Sequence, residues 1–240
     1  MFRYFLAIGL LAATLGMPVE AAVLHLQPGP GEGKDTFAWS RSGYTNTDMS
    51  GAVQHWTQHN SGSWNSRGYY QFDLGALGSG TSITNAELIL HHVVHGASWP
   101  LQLTYFTLTE VTSGWDEHTA TWSNPPTLGT AYTMTDVLNR NSLTYSSAIS
   151  ASVATTSLDL TDLVTAWVSG SLVNNGFAYY MATTYGFSGA DHYIAASDYT
   201  LDASFRPELI ITYAEAAVPA PAMMALLAIG LAGLSWQRRN

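Results

Sequence analysis

Four segments of this chain alternate apolar and polar side chains with a period of two. In RGYYQFDL, Tyr70, Phe72 and Leu74 fall on one face. In NAELILHHVV the set is Ala86, Leu88, Leu90 and Val94. In GFAYYMAT it is Phe177, Tyr179 and Met181, and in RPELIITY it is Leu209, Ile211 and Tyr213. Successive strand residues point to opposite sides of the backbone, so strict alternation marks a strand with one face buried. A chain patterned this way cannot bury its apolar residues on helices. A fifth segment, LQLTYFTLTEV, is apolar on both faces, which suits a bulged strand or one in the middle of the sandwich. Clusters of Gly, Asn, Ser and Pro separate the runs. One short helix is expected, with Thr161 as N-cap and Leu163, Val164 and Trp167 of DLVTAWVSG on one side. The sum is an all-β fold: a two-sheet, jelly-roll-like β-sandwich with one short helix. No internal repeat or linker divides it, so residues 22–214 are expected to form a single domain, long enough for a full core.

The chain contains no cysteine, so disulfides do not hold this core. Its cations between residues 22 and 214 are Lys34, Arg41, Arg67, Arg140 and Arg206, against about three times as many carboxylates. Phosphates would be repelled, which excludes nucleic acid as a partner. An anionic polysaccharide would have to bind against the net charge, through a local basic or metal-bridged site.

Both ends carry hydrophobic targeting helices in this reading. Residues 1–21 have a basic start at Arg3, an apolar run to Met17 and small residues at Ala21 and Ala22. That is the layout of a secretory signal peptide, with cleavage expected after Ala21, because Val19 and Ala21 then fill the two small-residue subsites. The run is short for a membrane span of about 20 residues. Residues 215–240 contain Val218-Pro219-Ala220-Pro221, an apolar stretch to Trp236 and a basic end at Arg238 and Arg239. This segment resembles the PEP-CTERM sorting signal, with Ala220 where that family has Glu. The resemblance implies export through the inner membrane of a bacterium with two membranes, transient or permanent anchoring by the C-terminal helix, and an exosortase-type processing enzyme as partner. The destination would be the outer surface or the extracellular matrix.

The order of motifs in between resembles the DNRLRE family of secreted β-sandwich domains. The match runs through YYQFDLGALGSGTSITNAELIL, then TSGWDEHTATWSNPP, then LDLTDLVTAWVSGSLVNNGFAY, and ends in ASFRPELIITY. It assigns Trp115, Glu117, Thr121, Trp122, Asp159, Thr161, Trp167, Arg206 and Pro207 to structural motif positions. It also implies a jelly-roll-like sandwich related to carbohydrate-binding modules of polysaccharide-degrading enzymes, with alginate among the ligands and no catalysis in the domain itself.

The stretch WDEHTATW, residues 115–122, places Asp116, Glu117 and His118 side by side. In extended backbone they cannot converge on one atom. The stretch is therefore expected to be a pinned connection, with Trp115 and Trp122 mostly buried and Glu117 accepting backbone N–H groups. His91, His92 and His95 would suit zinc on a helix, but on a strand His91 and His95 lie about 13 Å apart, too far for one ion with ligands near 2 Å. No nucleophile elbow, second carboxylate pair or phosphate loop stands out. Asp191, Asp198 and Asp202 are candidate ligands for a structural calcium, by analogy with jelly-roll sugar binders; no other cofactor is indicated. Sugar recognition uses aromatic platforms with a few polar groups, and Trp56, Trp64, Arg67, Tyr69 and Trp99 are the candidates here. Three functions stay open: a non-catalytic surface or matrix protein that binds extracellular polysaccharide, a self-assembling structural protein without a glycan ligand, and a polysaccharide-degrading enzyme.

Overall fold

The computed structural model of the chain describes residues 21–59, 65–93, 103–139, 152–184 and 190–214. Among the described residues eleven strands, all paired antiparallel, build two sheets. The first sheet holds β1 (Ala21–Leu26), β11 (Glu208–Ala214), β5 (Ser82–Val93), β10 (Ala190–Ala195) and β3 (Gln54–His59) in that order, and β8 (Ser152–Asp159) pairs with β5 as well. The second holds β2 (Lys34–Trp39), β4 (Ser66–Gln71), β9 (Phe177–Thr184), β6 (Leu103–Val111) and β7 (Leu128–Asn139). From β1 to β6 each successive strand lies in the other sheet, so the chain is laced across the sandwich. Of the expected signal peptide, residues 1–21, all but Ala21 lies outside the described residues, as do residues 215–240; Ala21 is the first residue of β1 and pairs with Ala214.

The alternation places the core as the sequence spacing demands. Tyr70, Phe72, Leu74, Ala86, Leu88, Leu90, Phe177, Tyr179, Leu209 and Ile211 are buried between the sheets, and Tyr213 packs against them. Val94 lies outside the described residues, as does the Met181 side chain. Val93, on the face of β5 opposite Leu90, packs in a separate cluster with Ala195 and Tyr199. β6, apolar on both faces, pairs on both sides and carries register shifts against each neighbour.

The helix, α1 (Thr161–Val168), buries Leu163, Val164, Trp167 and Val168. Its N-cap is Leu160, without a side-chain cap, and not Thr161. The reason is Asp159, whose carboxylate accepts from both the N–H and the hydroxyl of Thr161 at 2.9 and 2.6 Å. The Thr161 hydroxyl in turn accepts from Ala86 N–H at 2.9 Å, tying the helix start to β5.

Candidate functional site

Residues two apart on a strand share a face, so Arg67 and Tyr69 leave β4 on the side opposite Tyr70. The register sets Tyr69 against Thr36 and Ala178, and Arg67 against Ala38 and Tyr180. Residues 112–127 fold over this outer face. Trp115 and Trp122, both half-buried, pack against Ala38, Tyr69, Val111 and Ala178. The Trp115 indole donates to Asn175 O at 2.8 Å, and its ring centroid lies 5.9 Å from that of Tyr69. The Arg67 guanidinium sits 5.0 Å from the Trp122 ring and 5.3 Å from Tyr180.

The connection is held from within by Asp116. Its carbonyl accepts from Thr119 and Ala120 N–H, and its carboxylate accepts from His118 N–H at 3.0 Å. Glu117 was expected to fill this role, but its carboxylate faces the His118 ring at 3.7 Å instead. The chain turns at residues 117–119, which brings the Asp116 carboxylate, one residue earlier, back onto the His118 N–H. His118 is exposed and reaches across to Ser50 and Asp48 at 2.9 and 3.2 Å.

Two depressions open on this side. One, of about 400 Å³, is lined by Ser113, Trp115, Asp116, Thr119, Asn124 and Pro125 among others. The second, of about 470 Å³, includes Glu32, Lys34, Gln71, Phe72, Asp73 and Asn174. Lys34, which lines the second, places its ammonium 4.5 Å from the centre of the ring of Trp115, which lines the first. Lys34 faces Gln71 across the β2–β4 register and donates to its side-chain oxygen at 2.7 Å. Gln71 donates to Asn174 O at 2.7 Å, and Asn174 donates to Phe72 O at 2.9 Å. Partial burial lowers the Lys34 pKa, and the charges of Asp116 and Glu117 oppose that shift.

Gly176 makes this arrangement fit. Its φ is +76°, and a Cβ there would stand 2.0 Å from Tyr70 O. Only glycine lets the loop before β9 lie so close to β4.

A second polar group lies inside the sandwich. Asp35 on β2 is buried, and its carboxylate accepts from the Ser197 N–H at 2.9 Å and from the Ser197 hydroxyl. His55 on β3 places Nε2 3.4 Å from the same carboxylate. The acid stands between hydroxyl and imidazole, the reverse of a nucleophilic triad in which the imidazole takes the hydroxyl proton. None of the three side chains reaches solvent to any useful degree. Burial pushes the Asp35 carboxyl up and pulls the His55 ring down to about 3, the Asp198 charge opposing the latter. The imidazole is therefore neutral at pH 7, and the carboxyl holds its proton to a higher pH than a free one does. The Ser197–Asp35–His55 chain thus links the sheets as a structural device.

The remaining candidates scatter. Tyr69 is fully buried and presents no surface to a sugar, because residues 112–127 cover the face that alternation assigned to solvent. Trp56 lies on the other sheet, 4.2 Å from the Trp39 ring and 5.7 Å from Tyr193, away from Arg67 and Tyr69. Trp64 and Trp99 lie outside the described residues, as does His95. His91 and His92 point to opposite faces of β5. His92 is buried against Thr156 at 2.8 Å, and His91 stacks on Phe205 at 5.3 Å. Asp202 accepts from Ser204 N–H and hydroxyl, Asp198 is half-buried, and the Asp191 side chain lies outside the described residues. Among the described residues no group of three His, Cys, Asp or Glu is placed to hold a metal. Thr121 is buried and accepts from Asn124 N–H at 3.2 Å. Arg206 donates to Tyr199 O at 3.0 Å, and Pro207 is buried beside it.

Residues 33–183, more than half of the chain, match the model of carbohydrate-binding module family 96. The chain belongs to this family. Carbohydrate-binding module families are binding modules, so carbohydrate binding is the coarse function, and both depressions are built largely from residues inside the matched span. Three of the four segments whose order resembles DNRLRE domains lie inside it too. Residues 217–239 match the PEP-CTERM protein-sorting motif, which marks this family 96 protein as exported and surface-associated. No curated protein matches the chain. Sequence reasoning missed Lys34, Gln71 and Asn174 as site residues. They are brought together by strand register across more than a hundred residues, and no local spacing signals that.

Proposed function

We propose that the protein is a non-catalytic binder of extracellular polysaccharide, retained at the cell surface or in the biofilm matrix, and that the paired depressions hold the glycan. The observation that carries this reading is the contact of Lys34 with Trp115, which joins two depressions rich in amide, hydroxyl and carboxylate groups. A half-exposed indole flanked by fixed polar groups suits a sugar, which offers C–H faces to the ring and hydroxyls to the rim. Non-catalysis is supported by the carboxylates. Glu117 lines neither depression, and Glu32, Asp73 and Asp116 each accept from a backbone N–H of their own turn. In this reading a signal peptidase releases the chain after Ala21, residues 22–214 form the working domain, and an exosortase-type enzyme processes residues 215–240 at the Val218–Pro221 segment.

The test is affinity electrophoresis of the full chain through native gels containing the producing cell's own exopolysaccharide. Retardation is expected, with at least about tenfold weaker binding for Trp115→Ala and unchanged mobility of that variant in polymer-free gels. Absence of retardation by every glycan tried would refute the reading.

A further inference from the structure

The loop between α1 and β9 touches both halves of the site. It is fastened to three elements. Leu172 N–H donates to Ala166 O at 3.1 Å, on the last turn of α1. The Asn174 side chain accepts from Gly176 N–H at 3.2 Å and donates to Phe72 O at 2.9 Å, just beyond β4. Gly176 O accepts from Val111 N–H at 3.0 Å, at the end of β6.

Two successive carbonyls of this loop serve different partners. Asn174 O accepts from the Gln71 amide at 2.7 Å, and Asn175 O accepts from the Trp115 indole at 2.8 Å. Gln71 uses its amide nitrogen on the loop, which leaves its amide oxygen turned to the Lys34 ammonium at 2.7 Å. An indole has a single N–H, so the bond to Asn175 O fixes how the Trp115 ring is turned. The aromatic half and the cationic half of the surface therefore hang from adjacent peptide groups. A side chain ordered only when its ligand arrives costs affinity, and one ordered beforehand does not.

We infer that Asn174 is a positioning residue for carbohydrate binding. By holding the loop it sets the orientation of Trp115 and, through Gln71, of Lys34, so the stacking ring and its polar rim are in place before the glycan arrives. This rests on the polysaccharide-binding reading and names the residue that organises the site.

The first readout needs no ligand. ¹⁵N–¹H spectra of the detergent-solubilised full chain show its eight indole N–H groups, and loss of one signal in Trp115→Phe identifies Trp115. Asn174→Ala should speed solvent exchange of the Trp115 indole about tenfold and leave the other indoles unchanged, whereas a general loss of stability would speed them all. The second readout is affinity in native gels containing the producing cell's own exopolysaccharide. Asn174→Ala should bind about five- to tenfold more weakly. Trp115→Phe keeps a stacking ring and removes the N–H, and should weaken binding about threefold. The double variant should lose clearly less than the product of the two, because both changes release the same ring. Asn174→Asp, which keeps the oxygen for Gly176 and loses the donor to Phe72 O, should move both readouts in the same direction and serves if Asn174→Ala does not fold. Unchanged Trp115 exchange in the folded variants, wild-type affinity, or losses that multiply in full would overturn this inference while leaving polysaccharide binding intact. A wild type that no glycan retards would refute the polysaccharide reading and this inference with it.

Discussion

The buried Asp35–His55 pair should leave a signature in the pH dependence of stability. An unfolded His titrates near 6.5 and an unfolded Asp near 3.9. Folding depresses the His55 pKa to about 3 and raises that of Asp35. For His55 alone, the folded state binds fewer protons than the unfolded one below pH 6.5, so stability falls as the pH drops from there toward 3. For Asp35 alone, the folded state keeps a proton that the unfolded state loses above about pH 3.9, so stability falls as the pH rises. Between those two values the unfolded chain carries its one proton on His55, and as long as Asp35 keeps its proton in the folded chain the two contributions offset each other.

Asp35→Asn removes one side of this balance and leaves an amide oxygen to accept from Ser197. The His55 contribution then stands alone. A depression of the pKa from 6.5 to about 3 corresponds to roughly 5 kcal/mol, which should be lost progressively between pH 6.5 and 3 in urea titrations. The wild type should lose less over the same range, because the proton held on Asp35 offsets part of the loss. ¹⁵N chemical shifts of the His55 ring complete the assay, since proton counting alone does not say which side chain holds the proton. A charged imidazolium at pH 7, or an Asp35→Asn profile no steeper than the wild type's, would refute this account of the pair.

Gly176→Ala should destabilise by at least about 3 kcal/mol in urea titration, because left-handed backbone strain adds to a 2.0 Å clash with Tyr70 O. Gly170→Ala, with φ also +76° but no atom within 4 Å, should cost only about 1 kcal/mol. Trp122→Ala should cost about 2–3 kcal/mol through lost burial against the outer face and a lost partner for Arg67. His118→Ala, with its side chain 64% exposed, should stay within about 0.5 kcal/mol.

Period-two spacing was enough to place Tyr70, Phe72, Leu88, Leu90, Phe177 and Ile211 in the core, because a residue's face on a strand is a local property. Tyr69 shows where local reasoning stops. Its alternation assigns it outward, and outward it points, yet a connection more than forty residues away covers it. The interior Asp35–Ser197 bond spans 162 residues, and no spacing in the sequence announces it. The N-terminal boundary of α1 moved by one position for a related reason. Asp159 and Thr161 are both good capping residues, and the carboxylate reached the N–H of its neighbour first. The site itself needs β2, β4 and the loop before β9 in register at once, so it became visible only with the fold.

The pairing of β11 has a mechanical consequence. β11 ends at Ala214, shortly before the sorting motif, and it is flanked by six paired positions of β1 on one side and seven of β5 on the other. If the chain is tethered beyond Ala214 while a polymer pulls on the opposite sheet, tension enters the domain along the axis of β11. Load directed along a strand shears both ladders at once, so their hydrogen bonds, which lie perpendicular to the strands, share the force and do not peel one after another. The tether is thus spliced into the interior of a sheet, with β1 as a splint outside it, and the weakest link under flow is expected to be the glycan contact and not the fold.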